Sequence, residues 1–215
     1  MIEEIWRFVF KKNGNERSSG KTNILHESFI NLIKEEVIDL KNLFFKVENN
    51  GIRINDILDV HNRLFNVDAI IKSFENDFVF LMKAPISSIN KNKYNYNNGL
   101  IGEVFRFYGN ENNINKKLVF INVVPNNTFR KDNKTKKIVL ENTNHLSLEH
   151  TLKMSKNLLN NNVIKNVSEV YISYNVNKQA LSNIDNLDNI DNFIHVTSIV
   201  GFDRLIKDIK GDNYF

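Results

Sequence analysis

The sequence predicts an α/β (α+β) fold, a central mixed β-sheet flanked by helices, on three observations. Two continuous apolar runs, Phe78–Ala84 (FVFLMKA) and Leu118–Val124 (LVFINVV), have the length and two-sided hydrophobicity of central strands. The segment Thr22–Leu40 places Leu25, Phe29, Leu32 and Ile33 on one face at helical spacing. Segments of both kinds follow one another along the chain with short Asn-rich breaks, no internal repeat and no long linker, as helices packed on one sheet require.

Taken in order, Glu4–Phe10 (EIWRFVF) reads as a strand with one buried face and Lys11–Lys21 as a polar loop. The helix Thr22–Leu40 follows, then strands at Leu43–Val47 and Arg63–Lys72. Asn76 and Asp77 mark a turn. Phe78–Ala84 is stopped by Pro85, and Leu118–Val124 by Pro125, because proline cannot donate to a sheet ladder. Between them Asn92–Tyr108 starts polar and becomes amphipathic, with Leu100, Val104 and Phe107 on one side. Ser147–Asn160 reads as a helix. In Glu169–Val176, Val170, Ile172, Tyr174 and Val176 alternate onto one strand face. Phe193–Ile199 reads as a last strand. Phe202, Leu205, Ile206 and Ile209 make a short C-terminal helix closed by Gly211.

A chain of 215 residues with 41% hydrophobic and 25% charged residues is expected to bury a core as one domain, 1–215. No apolar run approaches the roughly 18–20 residues of a membrane span. Glu3 and Glu4 precede the first apolar run, the wrong charge order for a secretory signal. Cysteine is absent, which excludes disulfides, Cys-ligated zinc and thiol nucleophiles and suits a reducing, cytoplasmic location. The net charge of +4 mildly favours an anionic partner. Asparagine accounts for 38 of the 215 residues, a codon-bias signature that makes Asn runs evidence of turns and little else.

Two motifs compete for function. Asn15–Thr22 (NERSSGKT) matches the end of a phosphate-binding GxxxxGK[ST] loop at Gly20, Lys21 and Thr22, with an apparent strand before it and a helix after. Its first fixed glycine is replaced by Asn15, Gly14 falls one place early, and Glu16 puts negative charge near a triphosphate. Neither apolar strand ends in the acid that would hold magnesium. The alternative is a flexible turn before a helix capped by Thr22 or Asn23.

The second candidate runs from Asp68, in RLFNVDAII, through a turn to the strand ending Leu81-Met82-Lys83, then SSINKNKYN and the helix LIGEVFRFYG. This layout resembles the PD-(D/E)xK nuclease fold and, within it, type II restriction endonucleases. The helix carrying Glu27 and the strands LVFINVVP and EVYISYNV sit where such a domain has them. The resemblance implies a restriction-endonuclease-like fold in which an Asp on one strand and a (D/E)xK on the next share a metal. Phosphodiester hydrolysis needs an activated water and positive charge where the pentavalent phosphate gains negative charge. Carboxylates hold Mg2+ for this, and a lysine beside the metal orients or deprotonates the water. Asp68 and Lys83 match those roles.

The acid two places before Lys83 is replaced by Leu81. Glu103, from the following helix, is the first substitute as a catalytic and metal-binding carboxylate. Glu27, from the N-terminal helix, is the second, and Asp59 and Asp77 are further candidates. Each residue also has a plain structural reading. Asp68 is then an exposed strand residue and Lys83 a strand end reaching to solvent. Glu103 becomes an i,i+3 surface pair with Arg106, and Glu27 shares a solvated face with Glu35 and Glu36.

Two stretches are expected to contact double-stranded DNA. Ser87–Asn98 offers Lys91, Asn92, Lys93 and Tyr94, with lysines for phosphates and Asn for adenine edges. Asn126–Lys137 concentrates Arg130, Lys131 and Lys134 in a basic loop or hairpin. Of the five histidines (26, 61, 145, 150 and 195), His145 and His150 are five apart rather than the four of HExxH. Trp6 reads as core. The leading expectation is a Mg2+-dependent, sequence-specific DNA endonuclease of a restriction-modification system. It would act as a homodimer, since one site cuts one strand. A P-loop nucleotide-binding protein and a non-catalytic DNA-binding protein of the same fold are the alternatives.

Overall fold

The two continuous apolar runs lie side by side at the middle of a six-stranded sheet. The structure is a computed structural model that describes residues 1–11, 19–48, 54–86, 89–127, 129–135, 138–140, 166–177 and 194–211. Along the chain come helices α1 (Ile2–Lys11) and α2 (Ser19–Glu36), then strands β1 (Phe44–Val47), β2 (Ala69–Lys72) and β3 (Asp77–Lys83). Helix α3 (Ile89–Tyr108) and a 3-10 turn (Glu111–Asn113) lead to β4 (Lys117–Pro125). A two-stranded hairpin, β5 (Phe129–Lys131) with β6 (Ile138–Leu140), is separate from the main sheet. Strands β7 (Val167–Val176) and β8 (Ile194–Val200) and helix α4 (Phe202–Gly211) follow.

The sheet order is β1-β2-β3-β4-β7-β8. The first three strands are an antiparallel meander, β3, β4 and β7 run parallel, and β8 returns antiparallel. The expected central mixed sheet flanked by helices is therefore the architecture. Strand alternation divides β3 and β4 between two cores. Phe78, Phe80, Met82, Val119, Ile121 and Val123 pack on α1, α2 and α4, while Val79, Leu81, Leu118 and Phe120 pack on α3. Each fully buried side chain of this size contributes about 1.5–3 kcal/mol. Gly201, at φ +87°, makes the bend from β8 into α4; a Cβ there would meet the Glu169 carbonyl oxygen at 2.2 Å.

The first element departs from the sequence expectation. Glu4–Phe10 is part of helix α1, not a strand, because Ile2, Ile5 and Trp6 stand at i, i+3 and i+4 and bury one face together. A short apolar run fits either element by pattern alone. The Trp6 indole Nε1 donates to the Tyr174 hydroxyl at 2.9 Å, fixing α1 to the sheet. Helix α2 begins at Ser19, so Gly20, Lys21 and Thr22 are helical. The strand that a phosphate-binding loop needs before it is helix α1 instead. A Cβ at Gly20 would lie 2.3 Å from the Phe8 ring, and Lys21 Nζ donates to the Ala84 carbonyl at 3.0 Å. These residues thus join α1, α2 and the end of β3. Asp77 opens β3 rather than sitting in the turn.

The expected strand Arg63–Lys72 shortens to Ala69–Lys72. The residues before it belong to a loop held by Asp59. The Asp59 carboxylate accepts the backbone N–H groups of His61 (2.9 Å) and Arg63 (3.1 Å) and the Arg106 guanidinium (2.9 Å). Asn110 and Asn113, both buried, donate to the carbonyls of Asp59 and Leu58 at 2.9 and 2.7 Å. The expected helix Ser147–Asn160 lies outside the described residues. Among the described residues no helix is long and apolar enough to cross a membrane.

Candidate functional site

Three elements converge on Asp68. Its backbone N–H donates to Phe80 O at 2.9 Å, and its carbonyl accepts from Glu48 N–H at 2.8 Å. Asp68 is thereby clamped between the end of β1 and strand β3. One carboxylate oxygen, Oδ2, accepts the Met82 N–H at 2.5 Å, and the side chain remains 21% exposed. Burial pushes its pKa up to about 6. The Met82 N–H and the positive charge of Lys83 oppose that rise, and the negative charge of Glu103 adds to it. Asp68, Lys83 and Glu103 therefore lie within one electrostatic neighbourhood.

Lys83 ends β3, half-buried. It stands two places after Leu81, so its side chain leaves the sheet on the α3 side, opposite Asn122 of β4. Leu81 is 7% exposed and packs with Phe107, Val104 and Phe120. The position where the resemblance wants an acid is thus committed to the core beneath α3.

Two further residues of metal-ligand type approach Asp68 from other elements. Helix α2 buries the stripe Leu25, Phe29, Ile30 and Ile33, and His26 sits on that stripe, 0% exposed. Its Nε2 is 3.3 Å from Asp68 Oδ1, and its Nδ1 is 3.5 Å from the backbone carbonyl of Glu48. Glu48 directly follows β1. One ligand atom each from His26, Glu48 and Asp68 lie within 4.8 Å of one another, a spacing suited to a single metal ion. Burial lowers the His26 pKa below its ordinary value, against smaller opposing effects of Glu48 and Glu27, which favours the neutral ring. A neutral imidazole is the form that binds metals.

The other expected site residues distribute as follows. Glu27 is on the exposed side of α2, one residue from the inward-facing His26. Glu103 accepts from Arg106 Nη1 at 3.3 Å, the i,i+3 pair, and is outside the three-residue cluster although its charge reaches Asp68. Asp59 is saturated by Arg106 and the loop backbone, and Asp77 stands opposite Lys72 in the backbone register of β2 and β3. Lys91, Asn92, Lys93 and Tyr94 fall in the first turns of α3, and Arg130 and Lys131 in β5; all six side chains lie outside the described residues. Lys134 is exposed in the turn between β5 and β6, in the hairpin expected there.

Sequence reasoning missed His26 and Glu48. A readable signal for His26 was a polar ring on the apolar stripe of an amphipathic helix. Glu48 carried none, since an acid after a strand is ordinary until the fold shows what it approaches. The chain matches no family model, and no curated protein or solved structure matches it.

Proposed function

We propose that this chain is a divalent-metal-dependent DNA endonuclease that hydrolyses phosphodiester bonds, the activity implied by the resemblance to type II restriction endonucleases. The observation that carries this reading is the meeting of Asp68 with two further metal-ligand side chains, His26 and Glu48, at the sheet end where Lys83 emerges. The order of elements supports it: Asp68 directly precedes one strand and Lys83 ends the next.

The donor set fits a divalent ion. Asp68 and Glu48 supply the hard oxygen ligands that Mg2+ takes, and His26 adds a nitrogen. When bound, such an ion supplies positive charge to a phosphate oxygen and makes a nearby water a better nucleophile. The protein's own groups do the rest. The Met82 N–H holds one oxygen of Asp68, leaving the other directed at His26. Lys83 brings a fixed cation to the same neighbourhood, placed to stabilise charge on the phosphate as the bond to its leaving oxygen lengthens. The buried faces on either side of β3 hold Asp68 and Lys83 in register.

Double-stranded DNA is the proposed substrate, with the basic hairpin around Lys134 and the Lys91–Tyr94 turn of α3 as contacts. A homodimer and a restriction role in the cytoplasm belong to the same reading. The test is incubation of unmethylated and methylated plasmid with Mg2+, Mn2+ or EDTA. Discrete fragments that require metal, and are lost in Lys83→Ala while DNA binding persists, are the expected outcome. A DNA shift with no cutting in any metal would replace this reading with non-catalytic DNA binding, which the burial of Leu81 favours. Neither shift nor cutting would remove both.

A further inference from the structure

His26 occupies an electrostatic position that neither of its neutral forms resolves. The ring is wholly buried. Its Nδ1 faces the Glu48 carbonyl oxygen at 3.5 Å and its Nε2 faces Asp68 Oδ1 at 3.3 Å. Both neighbours are acceptors. A neutral imidazole has one N–H and one lone pair. With the proton on Nδ1, the lone pair of Nε2 points at a carboxylate oxygen; with the proton on Nε2, the lone pair of Nδ1 points at a carbonyl. Nε2 in fact has no hydrogen-bond partner despite its proximity to Asp68. Double protonation would satisfy both contacts, but it would put a net charge on a ring that no water reaches.

A cation between Nε2 and Asp68 Oδ1 removes the conflict. Nδ1–H then donates to the Glu48 carbonyl, the arrangement that commonly orients a metal-binding histidine. The separation of 3.3 Å between Nε2 and Oδ1 also suits two ligands of one ion. Bonds of about 2.0–2.2 Å place neighbouring donors about 3 Å apart. Glu48 supplies the third ligand atom of the cluster. The partly exposed carboxylates of Asp68 and Glu48 leave a side open to solvent.

We propose that His26 Nε2, Glu48 and Asp68 form the metal site and that the buried imidazole makes it select a first-row transition ion, Mn2+ in particular, over Mg2+. The inference rests on the endonuclease reading only for the purpose of the ion; the site itself stands on the three side chains. Mg2+ gives up water reluctantly and prefers oxygen donors, so a ligand set one-third nitrogen serves it poorly. Mn2+ shares the preference for carboxylates, lies above Mg2+ in affinity for nitrogen, and keeps octahedral geometry.

The test uses the full chain freed of metal with EDTA. Mn2+ is titrated by electron paramagnetic resonance, with Mg2+ as competitor, and the bound Mn2+ is inspected by electron spin-echo modulation for a directly bonded ¹⁴N. The expected result is an Mn2+ affinity at least about tenfold above that for Mg2+, with nitrogen coupling. His26→Gln keeps a polar side chain of similar reach and should lose the coupling and most of the preference. If that variant does not fold, Glu48→Gln and Asp68→Asn, both at partly exposed positions, should each weaken Mn2+ while leaving the nitrogen coupling of the ion that still binds. Equal affinities, or bound Mn2+ without nitrogen coupling, would overturn the proposal. The two readings fail separately. DNA cut equally well with Mg2+ and Mn2+ bound without nitrogen would end the selectivity and keep the nuclease. Nitrogen-coupled Mn2+ on a protein that never cuts DNA would keep the site and end the nuclease.

Discussion

Asp59 and Asp68 are nine residues apart in the chain, and the fold treats them oppositely. Asp59 is buried and fully answered: two backbone N–H groups and the Arg106 guanidinium hold its carboxylate, and the Arg106 bond above all depresses its pKa to about 2. Asp68 has one backbone N–H, an acceptor-facing histidine and a lysine acting at a distance, and burial raises its pKa to about 6. A carboxylate that serves the fold is given donors until its charge is comfortable. One that is left short of donors carries a cost that a bound cation relieves, which is why perturbed acids mark sites. The contrast separates brace from candidate centre without reference to any other protein.

The largest expected effect tests the Asp68 side of the contrast. Asp68→Asn and Lys83→Ala should each lower metal-dependent cleavage by at least about 100-fold. Asp68→Asn should leave the melting temperature at pH 7 unchanged or raised, because it removes an uncomfortable charge. A comparable loss of activity accompanied by a sharp loss of stability would make Asp68 a brace like Asp59. Next in size is Leu81→Glu, which places an acid where the proposed resemblance to nucleases would have one. It should cost at least about 3 kcal/mol, as for emptying a buried leucine site, without raising activity. Denaturant unfolding and the plasmid assay measure both parts.

Asp59→Ala should lower the melting temperature by more than about 4 °C, with metal binding per folded molecule unchanged. It strands the Arg106 side chain and two loop N–H groups. The pH dependence of stability gives the sign of each aspartate. Asp59, with a folded pKa near 2 against an ordinary 3.8, contributes stability that is complete above about pH 4 and is lost as pH falls through about 2. Asp68 binds its proton more tightly folded than unfolded, so its contribution falls as pH rises from about 4 through about 6. Asp68→Asn should abolish that second slope, visible in melts between those values. The smallest effect belongs to Glu103→Gln. Its exposed pair with Arg106 is worth less than about 1 kcal/mol. The substitution should shift the Asp68 titration downward and leave Mn2+ affinity within about threefold, whereas Glu48→Gln should weaken it by at least about tenfold. Equal losses from both would make Glu103 a ligand as well.

Much of the scaffold was legible in the chain. FVFLM and LVFI, the cores of the two runs, are apolar at every place because both faces are covered, and only a central strand needs that. The stripe of α2, the alternation in β7 and the C-terminal helix around Leu205, Ile206 and Ile209 follow the same reasoning. The segment EIWRFVF misled because seven residues of mostly apolar sequence satisfy strand and helix alike, and burial of Ile2, Ile5 and Trp6 along one side decided for the helix. Asp68 and Lys83 could be picked out because one is a charged residue set directly before a buried strand and the other ends one. His26 and Glu48 could not, since nothing along the chain says that the first buried turns of α2 come to lie beside the end of β1.

What the sequence determined by itself is therefore the local part: the type of most described segments beyond the first, and which of their faces are apolar. Those properties depend on neighbours within a few residues. Only the tertiary structure brought the proposed ligands together, because His26, Glu48 and Asp68 come from three separate elements whose meeting depends on how α2 crosses the sheet. It also decided the charge of each acid. A carboxylate's pKa follows its burial and its donors, and Asp59 and Asp68 acquire theirs only when Arg106 reaches one and the packed sheet end buries the other.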